Sequence, residues 1–349
     1  MCEYYSCFRI NSFYVNFHGR IDLDEKCVTL CCERGIKDLP GVELRNTGEE
    51  TVESFIALRS KVIEEGQYLP TDERTYTNGC QKCAVYQQKE WGGATDCIGY
   101  VNLSMYPAPC NAKCIYCPTY KSDFDTFAQD AVKIGYERFF DAIDYMIDNN
   151  MVKPEAPWQI SSGEITIHPY KDRILEVCEG RRCTFLTNCL IYDESIGNIL
   201  SSNPKSAINL SIDAGTSETW QQVKGVDNFC DVVENLQKYH KQCQQATQIT
   251  LKYIVLPGIN DNEQDYMGVI DIMKSIGVKK LTVGRNTTTK YTITEDERKK
   301  LTTAAGKLCM QLKENNIAFD INAYTADEQN KVMFFTDILS KKGEAMHGN

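Results

Sequence analysis

The sequence predicts an α/β protein: a partial (β/α)6 TIM-like barrel preceded by a small cysteine-rich α+β module. Three observations predict it. From about residue 98 onward, short apolar runs alternate with amphipathic helical stretches, the pattern of βαβ units and a parallel sheet. The first hundred residues lack that alternation and hold eight of the 17 cysteines. Three more cysteines fall within the eight residues "CNAKCIYC", immediately after the first strand of the alternating region.

The elements are justified in order. "CIGYVNLSMY" reads as the first barrel strand, and the cysteine loop and the helix "DAVKIGYERFFDAIDYMIDNN" follow it. "PWQISSGE" pairs with the helix "PYKDRILEVCEG", and "RCTFLTNCLIY" with the short helix "ESIGNILSS". "SAINLSIDA" is followed by one long helical stretch, from "SETWQQV" to "VVENLQKYHKQCQ". "QITLKYIVLPG" leads to "NEQDYMGVIDIMKSIG", and "KKLTVGRN" leads to "TEDERKKLTTAAGKLCMQLKENN". "AFDINAY" offers a seventh strand before a final helix. Earlier in the chain, "FYVNFHGRIDL" reads as a hairpin turned at "HG", "GEETVESFIALRSKVIEEG" as an amphipathic helix, and "NGCQKC" carries a C-x2-C pair. The expected organisation is a cysteine-rich module over 1–97, a barrel over 98–325 and a C-terminal helix and tail over 326–349.

Side chains two apart on a strand share a face. Val101, Leu103 and Met105 therefore oppose Asn102 and Ser104. Ile208, Leu210 and Ile212 oppose Asn209, Ser211 and Asp213, and Leu251, Tyr253 and Val255 oppose Thr250, Lys252 and Ile254. Helices cover the apolar faces, which leaves a partly polar interior. Barrel interiors are usually filled by branched apolar residues. A polar lining points to a ligand, with water-filled packing as the plainer reading.

Composition excludes several classes. The net charge is −10, and the nearest thing to a basic stripe is "GRRC" at Gly180–Cys183, so general nucleic-acid binding is not expected. No run of about 18 apolar residues predicts a spanning helix. The start, "MCEYYSCFRI", does not read as a secretory signal, so the expected location is cytoplasmic. An odd number of irregularly spaced cysteines then favours metal or redox chemistry over a disulfide framework. Cys178, Cys183, Cys189, Cys230, Cys243 and Cys309 lie singly in periodic segments and read as core filler. Cys189, at the end of the third strand, is also a candidate reactive thiol, although a small buried residue is the favoured reading.

Three thiolates on a tight loop suit three corners of a four-iron cluster, leaving one iron open to an exchangeable ligand. Zinc competes, but a three-cysteine site then needs a fourth ligand, usually histidine. His18, His168, His240 and His347 are all distant in sequence. The loop also follows a barrel strand, on the side where such barrels build their sites.

The spacing C-x3-C-x2-C, with Tyr116 just before the last cysteine, resembles the radical S-adenosylmethionine (radical SAM) superfamily. "SSGEITIHP" resembles the family's Gly-Gly-Glu motif, with Ser162 replacing the first glycine. "FLTN", "LSIDAGTSETW" and "VLPGINDNEQD" resemble the ends of its third, fourth and fifth strands, so the likeness covers about 98–325. It implies a 4Fe-4S cluster on Cys110, Cys114 and Cys117, with S-adenosyl-L-methionine on the open iron. Reductive cleavage would give a 5′-deoxyadenosyl radical that abstracts a substrate hydrogen. The implied cofactor contacts are the backbone at Ser162 and Gly163, the Glu164 carboxylate for the amine, Asn188 for the ribose, Ser211 and Asp213 for ribose hydroxyls or the carboxylate, Lys252 for the carboxylate, and Tyr116 beside the adenine. Plainer roles exist: Glu164 capping the next helix, Asn188 serving a turn, Asp213 capping the helix of "GTSETW".

The N-terminal order of cysteines, hairpin and helix resembles the auxiliary-cluster module called SPASM, or its shorter twitch form, although that module usually follows the barrel. The best ligand set is Cys7, Cys32, Cys80 and Cys83, with Cys31 an alternative to Cys32 and with Cys27 or Cys97 able to enter. A second 4Fe-4S cluster, a thiolate zinc site and unligated thiols all fit that set. The expected substrate is a small polar molecule such as an amino acid or a modified nucleoside, for example in a queuosine/deazaguanine lyase. A SPASM-type maturase acting on a ribosomal peptide or a protein side chain is the alternative. A non-catalytic metal-binding or electron-carrier protein is the alternative of another class. A flavodoxin or ferredoxin is the expected electron donor, and an oxygen-sensitive protein is expected.

Overall fold

The computed structural model describes residues 4–21, 26–31, 39–68, 87–90, 94–117, 124–161, 163–286 and 292–347. The chain forms two compact units, Met1–Pro109 with Lys121–Thr184, and Cys110–Tyr120 with Phe185–Asn349. Parallel strands and helices dominate both, as the α/β reading expects.

The first unit contains β1 (Tyr4–Ser6), α1 (Phe8–Asn11), β2 (Tyr14–Arg20), β3 (Val28–Thr29), β4 (Gly41–Val42), α2 (Gly48–Tyr68), β5 (Gln87–Lys89), β6 (Tyr100–Tyr106), α3 (Asp130–Asp148), β7 (Pro157–Ile160) and α4 (Lys171–Cys178). Its main sheet runs β7-β6-β2-β3-β4, parallel from β7 to β2 and antiparallel beyond, and β1 pairs with β5 separately. The hairpin expected at "HG" does not form. Residues 14–20 stay extended because all seven pair in register with β6, from Tyr14↔Tyr100 to Arg20↔Tyr106. A segment assigned to the N-terminal module thus supplies a parallel strand beside the first barrel strand.

The polar face of β6 is satisfied from within. Register places Thr29, Asn16, Asn102 and Gln159 side by side across four strands. The Asn16 amide donates to Thr29 Oγ1 at 2.8 Å, Asn102 donates to Asn16 Oδ1, and Gln159 donates to Asn102 Oδ1 at 3.1 Å. Ser104 donates to the Phe17 carbonyl at 3.0 Å. Here the interior polarity is a hydrogen-bonded ladder, which lifts the penalty of burying amides. On the opposite face of β2, Phe17 packs edge-on against Phe139 of α3 at 5.1 Å, and Val132, Tyr136, Phe139, Ile143 and Met146 recur along α3 at helical spacing and are buried.

The second unit holds β9 (Ala207–Ser211), β10 (Ile249–Val255), β11 (Lys280–Arg285) and β12 (Ala318–Asp320), all in parallel register, while β8 (Arg182–Leu186) spans the boundary between the units. Its helices are α5 (Glu194–Ser202), α6 (Ser217–Lys224), α7 (Phe229–Gln242), α8 (Glu263–Ser275), α9 (Glu295–Glu314) and α10 (Ala326–His347). Caps mark several starts: Asp193, Thr216 and Asn262 accept from the first-turn amides, and Thr294 with Glu297 forms a capping box. The single long helix expected after β9 is two helices. The chain turns left-handed at Gly225, with φ of 67°, and α6 stops there. Among the described residues, no helix is long and apolar enough to cross a membrane.

One buried histidine ties stability to pH. His168 Nδ1 accepts from the Tyr170 amide at 3.1 Å, so Nε2 carries the proton and donates to the Tyr136 hydroxyl at 2.9 Å. Burial lowers its pKa from 6.5 to about 4. Between those values the unfolded chain binds the extra proton. Stability is therefore complete above pH 6.5 and falls as pH drops toward 4, by up to about 3 kcal/mol. Denaturant titrations across this window are expected to show a shallower acid loss for His168→Gln than for the parent, and identical slopes would remove His168 from the account.

Candidate functional site

The cysteine loop, residues 110–117, is held by the end of a helix. The last carbonyls of a helix lack internal partners, and here the loop supplies them. The Lys113 amide donates to Lys224 O at 2.6 Å and the Ile115 amide donates to Val223 O at 3.0 Å. A further bond from the Cys117 amide to Cys114 O, at 3.1 Å, turns the loop between its last two cysteines. Cys110 and Cys114 are half-buried and Cys117 is exposed. Two glycines permit close backbone approaches, one to the loop and one within the first unit just before it. At Gly225, φ is 67° and an added Cβ would lie 2.7 Å from Lys113 Cβ. At Gly163, φ is 53° and an added Cβ would overlap the carbonyl oxygens of Ala108 and Pro109, just before the loop.

Tyr116 points its hydroxyl into a buried polar cluster. It donates to Asp213 Oδ2 and accepts from Lys224 Nζ at 2.7 Å. Lys224 also donates to Ser211 O at 2.6 Å and pairs with Asp213 at 2.5 Å. Both ionic side chains are shielded, with Asp213 wholly buried and Lys224 2% exposed. The other Asp213 oxygen, Oδ1, accepts from the Ile254 amide of β10. Burial first, and then the Asp213 carboxylate, hold the Tyr116 phenol far above its ordinary pKa, so it is a neutral donor. Asn260 completes the arrangement, donating to Asp213 O at 2.8 Å and Ile254 O at 2.9 Å.

The other expected site residues are placed as follows. Asn188 Nδ2 donates to Asn111 Oδ1 at 2.7 Å and lies 3.8 Å from Cys110 Sγ, while its Oδ1 accepts from the Leu190 amide, so it serves a turn and also reaches the loop. Ser211 is half-buried at the end of β9. Lys252, half-buried on β10, makes no ion pair among the described residues. Glu164 is fully buried, and its Oε1 accepts from the Thr166 amide at 3.2 Å and the Thr166 hydroxyl at 2.9 Å, the capping role foreseen as its plainer reading. Asp213 does not cap α6, because Thr216 does. Ser162, Cys32, Cys80 and Cys83 lie outside the described residues. Cys7 and Cys27 are buried, Cys31 is half-buried against Arg9, which donates to its sulfur at 2.7 Å, and Cys97 is exposed. Cys189 is buried with φ of 56°, as a small core residue, and Cys178, Cys183 and Cys309 are buried too, whereas Cys230 is exposed and Cys243 half-buried.

Among the described residues, no group of three His, Cys, Asp or Glu side chains is drawn together closely enough to hold a metal ion. The donor set of the cysteine loop is soft, the type that iron–sulfur clusters take and a single hard cation does not. It consists of three sulfurs on one short turn, none of them shut into the core, with an amide N–H beside one sulfur of the kind that tunes such centres. Sequence reasoning missed Lys224. Its signal is its spacing: it stands four residues after the buried Trp220 and next to the buried Val223, on the core-facing stripe of α6.

Residues 108–270, somewhat under half of the chain, match the Radical SAM superfamily and constitute a radical SAM domain. No curated protein matches the chain. Solved structures similar to it include Streptococcus suis SuiB bound to S-adenosylmethionine, 18% identical, aligned over 63% of this chain and 49% of that one at a TM-score of 0.42. SuiB bound to its precursor peptide SuiA is 14% identical, over 83% and 57%, at 0.45. A radical SAM methyltransferase from Sphaerobacter thermophilus is 11% identical, over 53% and 55%, at 0.36. The chain spans about half the length of these proteins.

Gly225→Ala tests the loop's approach. Gly258 also has positive φ, 83°, but open space around it, so Gly258→Ala reads the backbone cost alone, about 1 kcal/mol. Chemical denaturation is expected to show roughly 1–2 kcal/mol more loss for Gly225→Ala than for Gly258→Ala. Equal losses would mean that Lys113 yields freely.

Proposed function

We propose, from the radical SAM domain of residues 108–270, that this chain is an enzyme that cleaves S-adenosylmethionine reductively and abstracts hydrogen from a small polar substrate. One observation carries the reading: within that domain, three cysteines at C-x3-C-x2-C sit on a turn pinned by backbone hydrogen bonds while their sulfurs stay outside the core. Cys110, Cys114 and Cys117 would hold the 4Fe-4S cluster. When bound, the cluster and S-adenosylmethionine supply an electron and a primary carbon radical.

The chain's own residues then bind and orient. Lys252 is the inward cation with no ion-pair partner among the described residues, which suits it to the methionyl carboxylate. Asn188, fixed by the Leu190 amide and Asn111, presents its amide beside Cys110 and suits both a sulfur and a ribose oxygen. Ser211 keeps its hydroxyl at the strand end while its carbonyl holds Lys224. Gly163 and Glu164 would meet the amine, with Thr166 orienting the Glu164 carboxylate, whereas Ser162 lies outside the described residues. A cavity of about 430 Å³ lies at the carboxyl ends of β10 and β11, between Val255–Pro257 and the first turns of α9, where Glu297 and Lys300 add charge. Its size suits a small molecule. An amino acid or a modified nucleoside, as in a deazaguanine lyase, fits the mixed apolar and polar lining. The proposal includes a cytoplasmic location, a flavodoxin or ferredoxin as reductant, and a second cluster or zinc site on Cys7, Cys32, Cys80 and Cys83.

Anaerobic reconstitution with iron and sulfide, followed by dithionite and S-adenosylmethionine, is expected to yield 5′-deoxyadenosine, and Cys114→Ala to abolish it. Zinc in place of iron at the triplet of carefully reconstituted protein would end this reading. Lys252→Ala is expected to weaken S-adenosylmethionine binding about tenfold, or about 1.4 kcal/mol, by equilibrium titration, and unchanged affinity would reassign that lysine.

A further inference from the structure

We infer that Lys224 is the positioning residue of the cysteine loop, with Asp213 and Tyr116 as its partners rather than as ligands of the cofactor. The inference rests on the proposed reading only for what the loop carries. Its basis is a closed set of hydrogen bonds. An ammonium has three donors, and Lys224 spends them on Tyr116 Oη, Ser211 O and Asp213 Oδ2. Asp213 spends one oxygen on Tyr116 and Lys224 and the other on the Ile254 amide. The Tyr116 hydroxyl gives its proton to Asp213 and receives one from Lys224. Neither the ammonium nor the Tyr116 hydroxyl has a proton left to donate to a ribose or a methionyl carboxylate, and both oxygens of the buried Asp213 carboxylate are already hydrogen-bonded within the protein.

The same residues reach the loop twice. Lys224 holds Tyr116 with its side chain and Lys113 with its carbonyl, and Val223 beside it holds Ile115. The turn from Lys113 to Tyr116 is therefore fastened to two consecutive residues of α6. Through Ser211, Asp213 and Ile254 it is also registered to the ends of β9 and β10. Tyr116 sits between Ile115 and Cys117, so whatever fixes its hydroxyl fixes the turn that bears Cys114 and Cys117. An unpaired charge at this depth would be strongly unfavourable. The network therefore holds the loop through bonds that do not involve its sulfurs, which is the preorganisation a site of this kind needs.

The test uses the full chain, freed of metal by a chelator, and reads alkylation of individual cysteines by mass spectrometry. Exposed Cys230 serves as an internal standard. Tyr116→Phe removes one hydroxyl and leaves the ion pair, so the fold survives. Its Cys114 and Cys117 are expected to react roughly fivefold faster than in the parent while Cys230 is unchanged. Lys224→Met alone strands a buried carboxylate and risks unfolding, so the second variant is the neutral double change Lys224→Met with Asp213→Asn, which is expected to loosen the same two cysteines. Lys224→Arg is expected to return their rates toward the parent. Parent-like rates in both Tyr116→Phe and the double variant would overturn the inference. So would a rise shared equally by Cys230, which would show a general loss of stability and not a held loop. Failure of the proposed function reads differently: the parent protein would take up no iron, whatever the alkylation rates show.

Discussion

An ammonium and a carboxylate meet at 2.5 Å inside the second unit, Lys224 against Asp213, with almost no solvent at either. Removing both from water is costly, and their attraction alone does not guarantee a gain. The remaining hydrogen bonds make the arrangement stable: Tyr116, the Ser211 carbonyl and the Ile254 amide occupy every direction in which these groups need a partner. Because those partners come from the cysteine loop, β9 and β10, satisfying one ion pair locates three segments at once. The left-handed backbone at Asp213, φ 49°, aims its carboxylate into this cluster, and Asn260 holds the same bend from the far side.

The first unit meets the same requirement without charges. Its ladder of Thr29, Asn16, Asn102 and Gln159 uses one residue from each of four neighbouring strands, aligned by register, and each amide answers the next. Strand polarity on an inward face therefore has two meanings in this protein. On β6 it is spent on the protein itself. On β10, Lys252 is left without an ion-pair partner among the described residues, and on β9 the Ser211 side chain stands at the strand end. A polar residue marks a binding position only when its neighbours do not already consume it, and that depends on which strands stand beside it.

The barrel strands and most helices were legible because each carries a local periodicity that burial obeys. Leu251, Tyr253 and Val255 are buried, and Thr250 and Lys252 are half-buried, as their alternation requires. The cysteine loop was legible from spacing alone. The hairpin at His18–Gly19 was misread because a His-Gly pair between apolar runs favours a turn locally, yet seven pairings to a neighbouring strand outweigh that preference. The single helix after β9 was misread because a glycine inside a helical pattern is tolerated often enough to be passed over. Only the close approach of Lys113 shows why the helix must stop there.

Sequence by itself determined the chemistry this chain has at its disposal: three thiols at a spacing that suits a cluster, a tyrosine beside the last of them, and strands whose order places the loop at a sheet's carboxyl edge. Those are properties of residue type and interval along the chain, and both are written linearly. Tertiary structure alone decided how Asp213, Tyr116 and Lys224 are employed. Position 224 follows position 116 by 108 residues, and the two meet only when helix, loop and sheet are packed. A lysine in an amphipathic helix is ordinarily solvated. This one turns inward because a buried carboxylate waits for it, and no local pattern encodes that carboxylate's distance.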